Sequence, residues 1–159
     1  MSLRVDVNAV VEGMEMQSDE MHSYLHRPTG RIVTVSDDAL AAAENGDEDC
    51  DIPEELPEAR RIVAAQDEYL ELPDRFEINE YRMMERFAES LADGSACDAA
   101  LRALHRRGAF RYFKDTVHSL GVAKSWYAFR DECYWQVARE WCDANGIECD
   151  DSPHPELGR

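Results

Sequence analysis

Phe110-Arg111-Tyr112-Phe113-Lys114-Asp115-Thr116-Val117-His118-Ser119-Leu120 has the residue spacing that decides how the second half of the chain folds. At about 100° per residue, Phe110, Phe113, Val117 and Leu120 share one side of a helix, and Arg111, Lys114 and His118 share a neighbouring strip. A helix built this way buries the first row and displays the second. Gly121 stops it, and Gly108 terminates the helix before it.

The same period continues downstream. Trp126, Phe129, Cys133, Val137 and Trp141 run at steps of three, four, four and four, a core stripe that Tyr127, Tyr134 and Ala138 widen. Ser125 is placed to cap this longest helix, and Asn145-Gly146 to end it near Ala144. Trp135 falls off the stripe with Asp131 and Arg139, where a large aromatic is either an exposed contact anchor or covered by another element. Upstream, Asp74 with Glu77 forms a capping-box-like start, and Ile78, Tyr81, Met84, Ala88 and Leu91 share a face until Asp93-Gly94. Ser95 and Asp98 signal one more start, with Ala100, Leu101 and Leu104 along it.

The N-terminal half reads differently. Asp6 caps a short helix carrying Val7, Val10, Val11 and Met14, which Gly13 weakens. Residues 21–27 and 31–36 are rich in β-formers and flank Pro28-Thr29-Gly30, the composition of a hairpin turn. Residues 37–43 and 57–65 suit short helices, and Glu68-Tyr69-Leu70-Glu71-Leu72 alternates up to Pro73 as a third strand. The expected fold is α+β: a small antiparallel sheet of about three strands packed against a helical C-terminal half. A single globular domain over 1–149 is expected, with an acidic mobile connector near 45–55 and a flexible tail at 150–159.

Composition narrows the class. The 159 residues, 44% hydrophobic, suffice for one core. No apolar run approaches the roughly 20 residues that span a bilayer, and Met1-Ser2-Leu3-Arg4-Val5-Asp6 lacks the apolar core of a signal peptide. A cytoplasmic setting is therefore expected. The formal charge of −17 disfavours direct binding to nucleic-acid phosphates or anionic membranes. Yet residues 101–139 hold 8 basic and 3 acidic side chains, a local net of +5. The five cysteines form no CxxC pair, and the odd number cannot pair fully within the chain, so reduced thiols are expected. The nine-residue spacing of Cys133 and Cys142 does not suit a local zinc pair.

The usual chemical signatures are missing. There is no GxSxG, P-loop, GxGxxG or HExxH. Asp47, Asp49, Asp51 and Glu58 occupy four positions of a calcium-loop register, but Ile52 replaces its turn glycine and Pro53 follows. His22 and His26 lie on one face of a strand, two pleats apart, a poor metal pair. Neither a metal nor a cofactor is expected.

The stretch from His105 to Asp115, then Trp126-Tyr127-Ala128-Phe129-Arg130-Asp131, Ala138-Arg139-Glu140-Trp141 and Asn145-Gly146-Ile147, resembles a bacterial group, the uncharacterised protein family UPF0158. Glu80-Tyr81-Arg82-Met83-Met84-Glu85-Arg86-Phe87 and the Thr29-Gly30 turn fit the same resemblance. It covers most of the chain apart from the acidic connector and the tail. The resemblance implies a bacterial cytosolic setting and carries no activity, cofactor or catalytic residue.

The leading functional expectation is a non-catalytic binding or regulatory domain. Its aromatic-basic face, with Arg107, Arg111, Lys114, Trp126, Arg130, Asp131 and Trp135 as candidate ligand contacts, would hold an acidic peptide or a small anion. One alternative is a hydrolase or transferase using Asp115, His118 and Asp131 between the last two helices. Another is an acidic nucleic-acid mimic that occupies a basic partner.

Overall fold

The structure, a computed structural model, describes residues 4–48 and 53–150. Residues 49–52 of the acidic connector, with Asp49 and Asp51 of the calcium-loop register, and residues 151–159 of the tail lie outside the described residues. The chain is α+β and helices dominate it. The described residues divide into two compact units, one formed by those up to Ile78 with those from Trp135 to Asp150, the other by Asn79–Tyr134.

The first unit holds both sheets. Strand β2 (Met21–His26) lies centrally, antiparallel to β3 (Arg31–Ser36) on one side and to β4 (Tyr69–Glu71) on the other. The hairpin forms as expected: Gly30 takes φ 76° and its N–H donates to the His26 carbonyl at 2.7 Å. Because side chains alternate along a strand, Ser23 and Leu25 share one face of β2, and both are fully buried. Helix α1 (Val7–Met16) packs on β2 and β3, and the Asp6 side chain caps it by accepting from the Asn8 N–H at 2.9 Å.

Gly13, which by propensity weakens α1, has a packing reason to be there. A Cβ there would lie 2.6 Å from Leu72 Cδ2 and 2.9 Å from Ile32 Cγ2, so the glycine is where the helix backbone meets the sheet. Gln17 seals that junction. Its Nε2 donates to the Leu72 carbonyl at 2.8 Å, and its Oε1 accepts from the Ser23 N–H at 2.9 Å. Helices α2 (Asp37–Asn45) and α3 (Leu56–Ala64) pack on each other and on β3, burying Ala39, Ala42, Leu56, Ala59 and Ile62. The Ser36 hydroxyl caps α2 from the end of β3.

Two strands escaped the sequence reading. Strand β5 (Glu148–Asp150) runs parallel to β1 (Arg4–Asp6), pairing Val5 with Cys149. Three residues carry too little periodicity to be read as strand, and pairing with the opposite end of the chain leaves no local signal.

The single helix expected from Asp74 to Leu91 is broken. The Asp74–Glu77 box forms, with Glu77 N–H donating to Asp74 Oδ1 at 2.8 Å, but α4 is only Arg75–Ile78. Asn79 then takes φ 53° and restarts the chain as the cap of α5 (Glu80–Ser90), its side chain accepting from the Arg82 N–H. Asparagine tolerates the left-handed conformation and is a preferred cap, so one residue performs both tasks. The second unit continues through α6 (Gly94–Leu104), capped by Asp93 rather than Ser95, then α7 (Ala109–Ser119) and the first half of α8 (Ala123–Ala144). Its core is an aromatic cluster. Trp126 meets Phe113 edge-on at 5.0 Å and Phe87 at 5.5 Å, and Phe87 also contacts Phe129 at 5.6 Å.

Candidate functional site

Helix α7 is set by Gly108. This residue takes φ 76° and is the N-cap of α7, a backbone that glycine adopts without strain. Having no side chain, it offers no cap. The first turn of α7 therefore carries amide N–H groups with no side-chain acceptor and no acidic residue beside them.

Cations gather around this turn. Arg102, His105, Arg106 and Arg107 are exposed on the last turn of α6 and in the connection, and Arg111 and Lys114 are exposed along α7. Tyr112 organises two of them: the Arg106 guanidinium lies 4.2 Å from its ring centroid and that of Arg111 5.9 Å. Arg106 was not among the candidate contacts read from the sequence. The signal for it was an arginine six residues before a tyrosine, which becomes a contact only once Gly108 turns the chain. Among the described residues, Arg106, Arg107, Arg111 and Lys114 take part in no ion pair.

The α7 stripe is buried only in its middle. Phe113 and Val117 are fully covered, but Phe110 and Leu120 are 41% and 36% exposed. The end residues project beyond the core that Phe87 and Trp126 provide. The exposed strip of Arg111, Lys114 and His118 lies as the spacing predicts.

Other candidate contacts are engaged elsewhere. Trp126 is fully buried in the aromatic cluster, so it is a core residue and cannot touch a ligand on this face. Its Nε1 has no hydrogen-bond partner. Arg130 is half-buried, ion-paired with Glu80 of α5, and its guanidinium lies 4.2 Å from the Tyr134 ring centroid. Its role is to hold α8 to α5. Asp131 is half-buried next to it in sequence. Trp135 lies further along α8, half-buried, with Arg139 5.5 Å from its ring centroid and its Nε1 buried without a partner. It is neither a freely exposed anchor nor part of the α7 strip.

Asp115 and His118, two members of the alternative catalytic set, are exposed on α7. The His118 ring contacts Tyr127 at 6.2 Å. Among the described residues no hydrogen bond or ion pair joins Asp115, His118 and Asp131. Cys133 is buried and its thiol is pushed up by that burial, which disfavours the nucleophilic thiolate. His22 lies against Asp37 and Glu71, and the His26 ring lies tilted against that of Tyr69 at 4.6 Å, so the two histidines have different partners. Glu58 of the calcium-loop register pairs with Arg31 and Arg61. No group of three or more metal-binding side chains assembles among the described residues, and none of their helices is long and apolar enough to cross a membrane.

No curated protein and no solved structure matches this chain. The family described as Uncharacterised protein family (UPF0158) matches residues 1–152, and the chain belongs to that family.

Proposed function

We propose that this protein is a non-catalytic binding domain that presents the outer strip of α7 to an acidic peptide. One observation carries the reading: Arg106, Arg107, Arg111 and Lys114 are exposed and, among the described residues, free of ion pairs in a chain whose formal charge is −17. A protein with twice as many carboxylates as cations has ample internal partners, and Arg130, Arg31 and Arg61 use them. The α7 cations do not.

The strip's dimensions favour a peptide over a single small anion. Arg111 and Lys114 lie about 4.5 Å apart along the α7 axis and Arg107 precedes the helix, a spread that carboxylates at alternate positions of an extended chain, about 7 Å apart, can span. Guanidinium groups fixed by Tyr112 pair with carboxylates bidentately, and the uncapped α7 amides add favourable potential for negative charge. The surrounding acidity repels a diffuse anion, so recognition depends on several simultaneous contacts and weakens with salt.

The test is fluorescence anisotropy with a labelled hexaglutamate peptide at low ionic strength. Binding should weaken at least roughly tenfold in the Arg111→Glu, Lys114→Glu double variant, and fall steadily as salt is raised. Equal affinity in wild type and double variant would remove this strip as the binding surface. Inorganic phosphate competing as well as the peptide would restrict the site to a small anion.

A further inference from the structure

The segment where α8 ends and β5 begins brings two thiols together. Asn145-Gly146 turns the chain, with Gly146 at φ 67°, and the Ile147 N–H returns to the Cys142 carbonyl at 2.8 Å. Two residues on, Cys149 is fixed opposite Val5 in the parallel β1–β5 pair, and its Sγ lies 3.8 Å from the Ile147 carbonyl. The reversal places Cys149 beside the last turn of α8, where the Cys142 thiol hydrogen-bonds its sulfur. Both cysteines are unbridged.

Their surroundings differ. Cys142 is fully buried. Cys149 is half-buried and lines an open cleft of about 260 Å³ with Arg139, Asp143, Gly146, Ile147 and Glu148. Burial, then the hydrogen bond to Cys149, pushes the Cys142 thiol well above its ordinary range, so Cys142 keeps its proton and donates it to the neighbouring sulfur. One sulfur is reachable and the other waits behind it.

We propose that Cys149 and Cys142 form a peroxide-oxidisable thiol pair, with Cys149 the reacting sulfur and Cys142 the resolving one. The Cys149 thiolate attacks the terminal oxygen of a hydroperoxide; the O–O bond breaks, an S–O bond forms, and water or an alcohol leaves after protonation. Sulfur is oxidised to the sulfenic acid and the peroxide is reduced. The Cys142 thiol then passes its proton to the sulfenic oxygen as its sulfur attacks Cys149, so that the S–S bond forms, the S–O bond breaks and water leaves. The disulfide ties the end of α8 to β5, closing a loop that the native turn has already brought together.

Mass spectrometry of the full chain tests this directly. Trypsin cleaves after Arg139, so both cysteines fall in the one peptide beginning at Glu140, and disulfide formation lowers its mass by two hydrogens, about 2 Da. After brief treatment with dilute hydrogen peroxide and alkylation, that peptide should carry the loss while those holding Cys97 and Cys133 remain alkylated. The pair should oxidise roughly tenfold faster than either. Cys142→Ser should trap the intermediate as a dimedone adduct on Cys149, and Cys149→Ser should abolish both adduct and bridge. Oxidation of Cys97 ahead of this pair, or a Glu140 peptide that keeps both thiols alkylatable, would overturn the proposal. The wild-type measurement needs no variant, so a destabilised Cys142→Ser protein leaves it decisive.

Discussion

Replacing Gly13 by alanine should destabilise the first unit even though alanine is the better helix former. In an exposed helix interior the change gains about 1 kcal/mol, from propensity and a less flexible unfolded chain. Here the new methyl would sit 2.6 Å from Leu72 Cδ2 and 2.9 Å from Ile32 Cγ2, both inside any allowed carbon–carbon contact. Neither neighbour yields readily. Leu72 is 1% exposed, and its backbone is fixed by the bond from its N–H to the Ser23 carbonyl and the bond from Gln17 Nε2 to its own carbonyl. Ile32 Cγ2 is attached directly to Cβ of a β-branched side chain, so it moves only by leaving its χ1 rotamer or by a shift of the β3 backbone. Overpacking of this kind costs about 1–3 kcal/mol, which outweighs the gain and leaves a net loss of up to about 2 kcal/mol. Urea unfolding followed by circular dichroism, with hydrogen exchange on α1 and β2, should show the midpoint lowered and protection reduced. Leu72→Ala should partly relieve the clash, making Gly13→Ala less harmful in that background than in wild type. A Gly13→Ala protein as stable as wild type, or more so, would refute the claim that α1 is held at backbone distance from the sheet.

Asn79→Ala should destabilise the second unit by about 2 kcal/mol, since it loses a cap and leaves an alanine strained at φ 53°. Asn79→Gly should lose much less, and thermal melts of the two variants distinguish strain from capping. Trp126→Ala should cost about 3–5 kcal/mol by emptying the aromatic cluster, whereas Trp126→Phe, lacking the unpartnered Nε1, should be milder. Neither should change affinity for an acidic peptide if the protein stays folded, and a selective loss of binding in Trp126→Phe would return that residue to the site. The Tyr24 phenol is held up to about 12, first by burial and then by Glu71, Asp37 and Glu44. Because its folded value exceeds the ordinary 10.0, its contribution to stability is complete below pH 10 and is lost as pH rises toward about 12. Absorbance titration should show a tyrosine ionising near 12 that disappears in Tyr24→Phe.

Residues that report only on their neighbours in sequence were legible. The Pro28-Thr29-Gly30 turn, the Asp6 cap and the exposed strip of α7 follow from local geometry, and the structure places each where that geometry demands. Positions whose meaning depends on distant residues were not. Gly13 reads as a helix weakener until Leu72 and Ile32 arrive against it. Asn79 sits inside an unbroken apolar pattern, because Ile78, Met84 and Ala88 remain buried on both sides of the break. Strand β5 depends on residues 4–6, at the other end of the chain.

The candidate site divides along the same line. A sequence counts cations but does not show which are already partnered. Arg130 and Arg111 look equivalent in their aromatic setting, yet Arg130 faces Glu80, fifty residues earlier on α5, and Arg111 has no such element over it. A carboxylate brought by a second element both pairs a cation and covers it, whereas a pair along one helix, such as Arg61 with Glu58, leaves the cation exposed. Arg130 is half-buried for this reason. Along α7, Arg111, Lys114, Asp115 and His118 are all exposed, so among the described residues no helix or strand lies over that side to deliver a carboxylate. The same openness that leaves Arg111 and Lys114 unpaired is what makes them accessible, and it is the physical ground for seeking their counter-charge on another molecule.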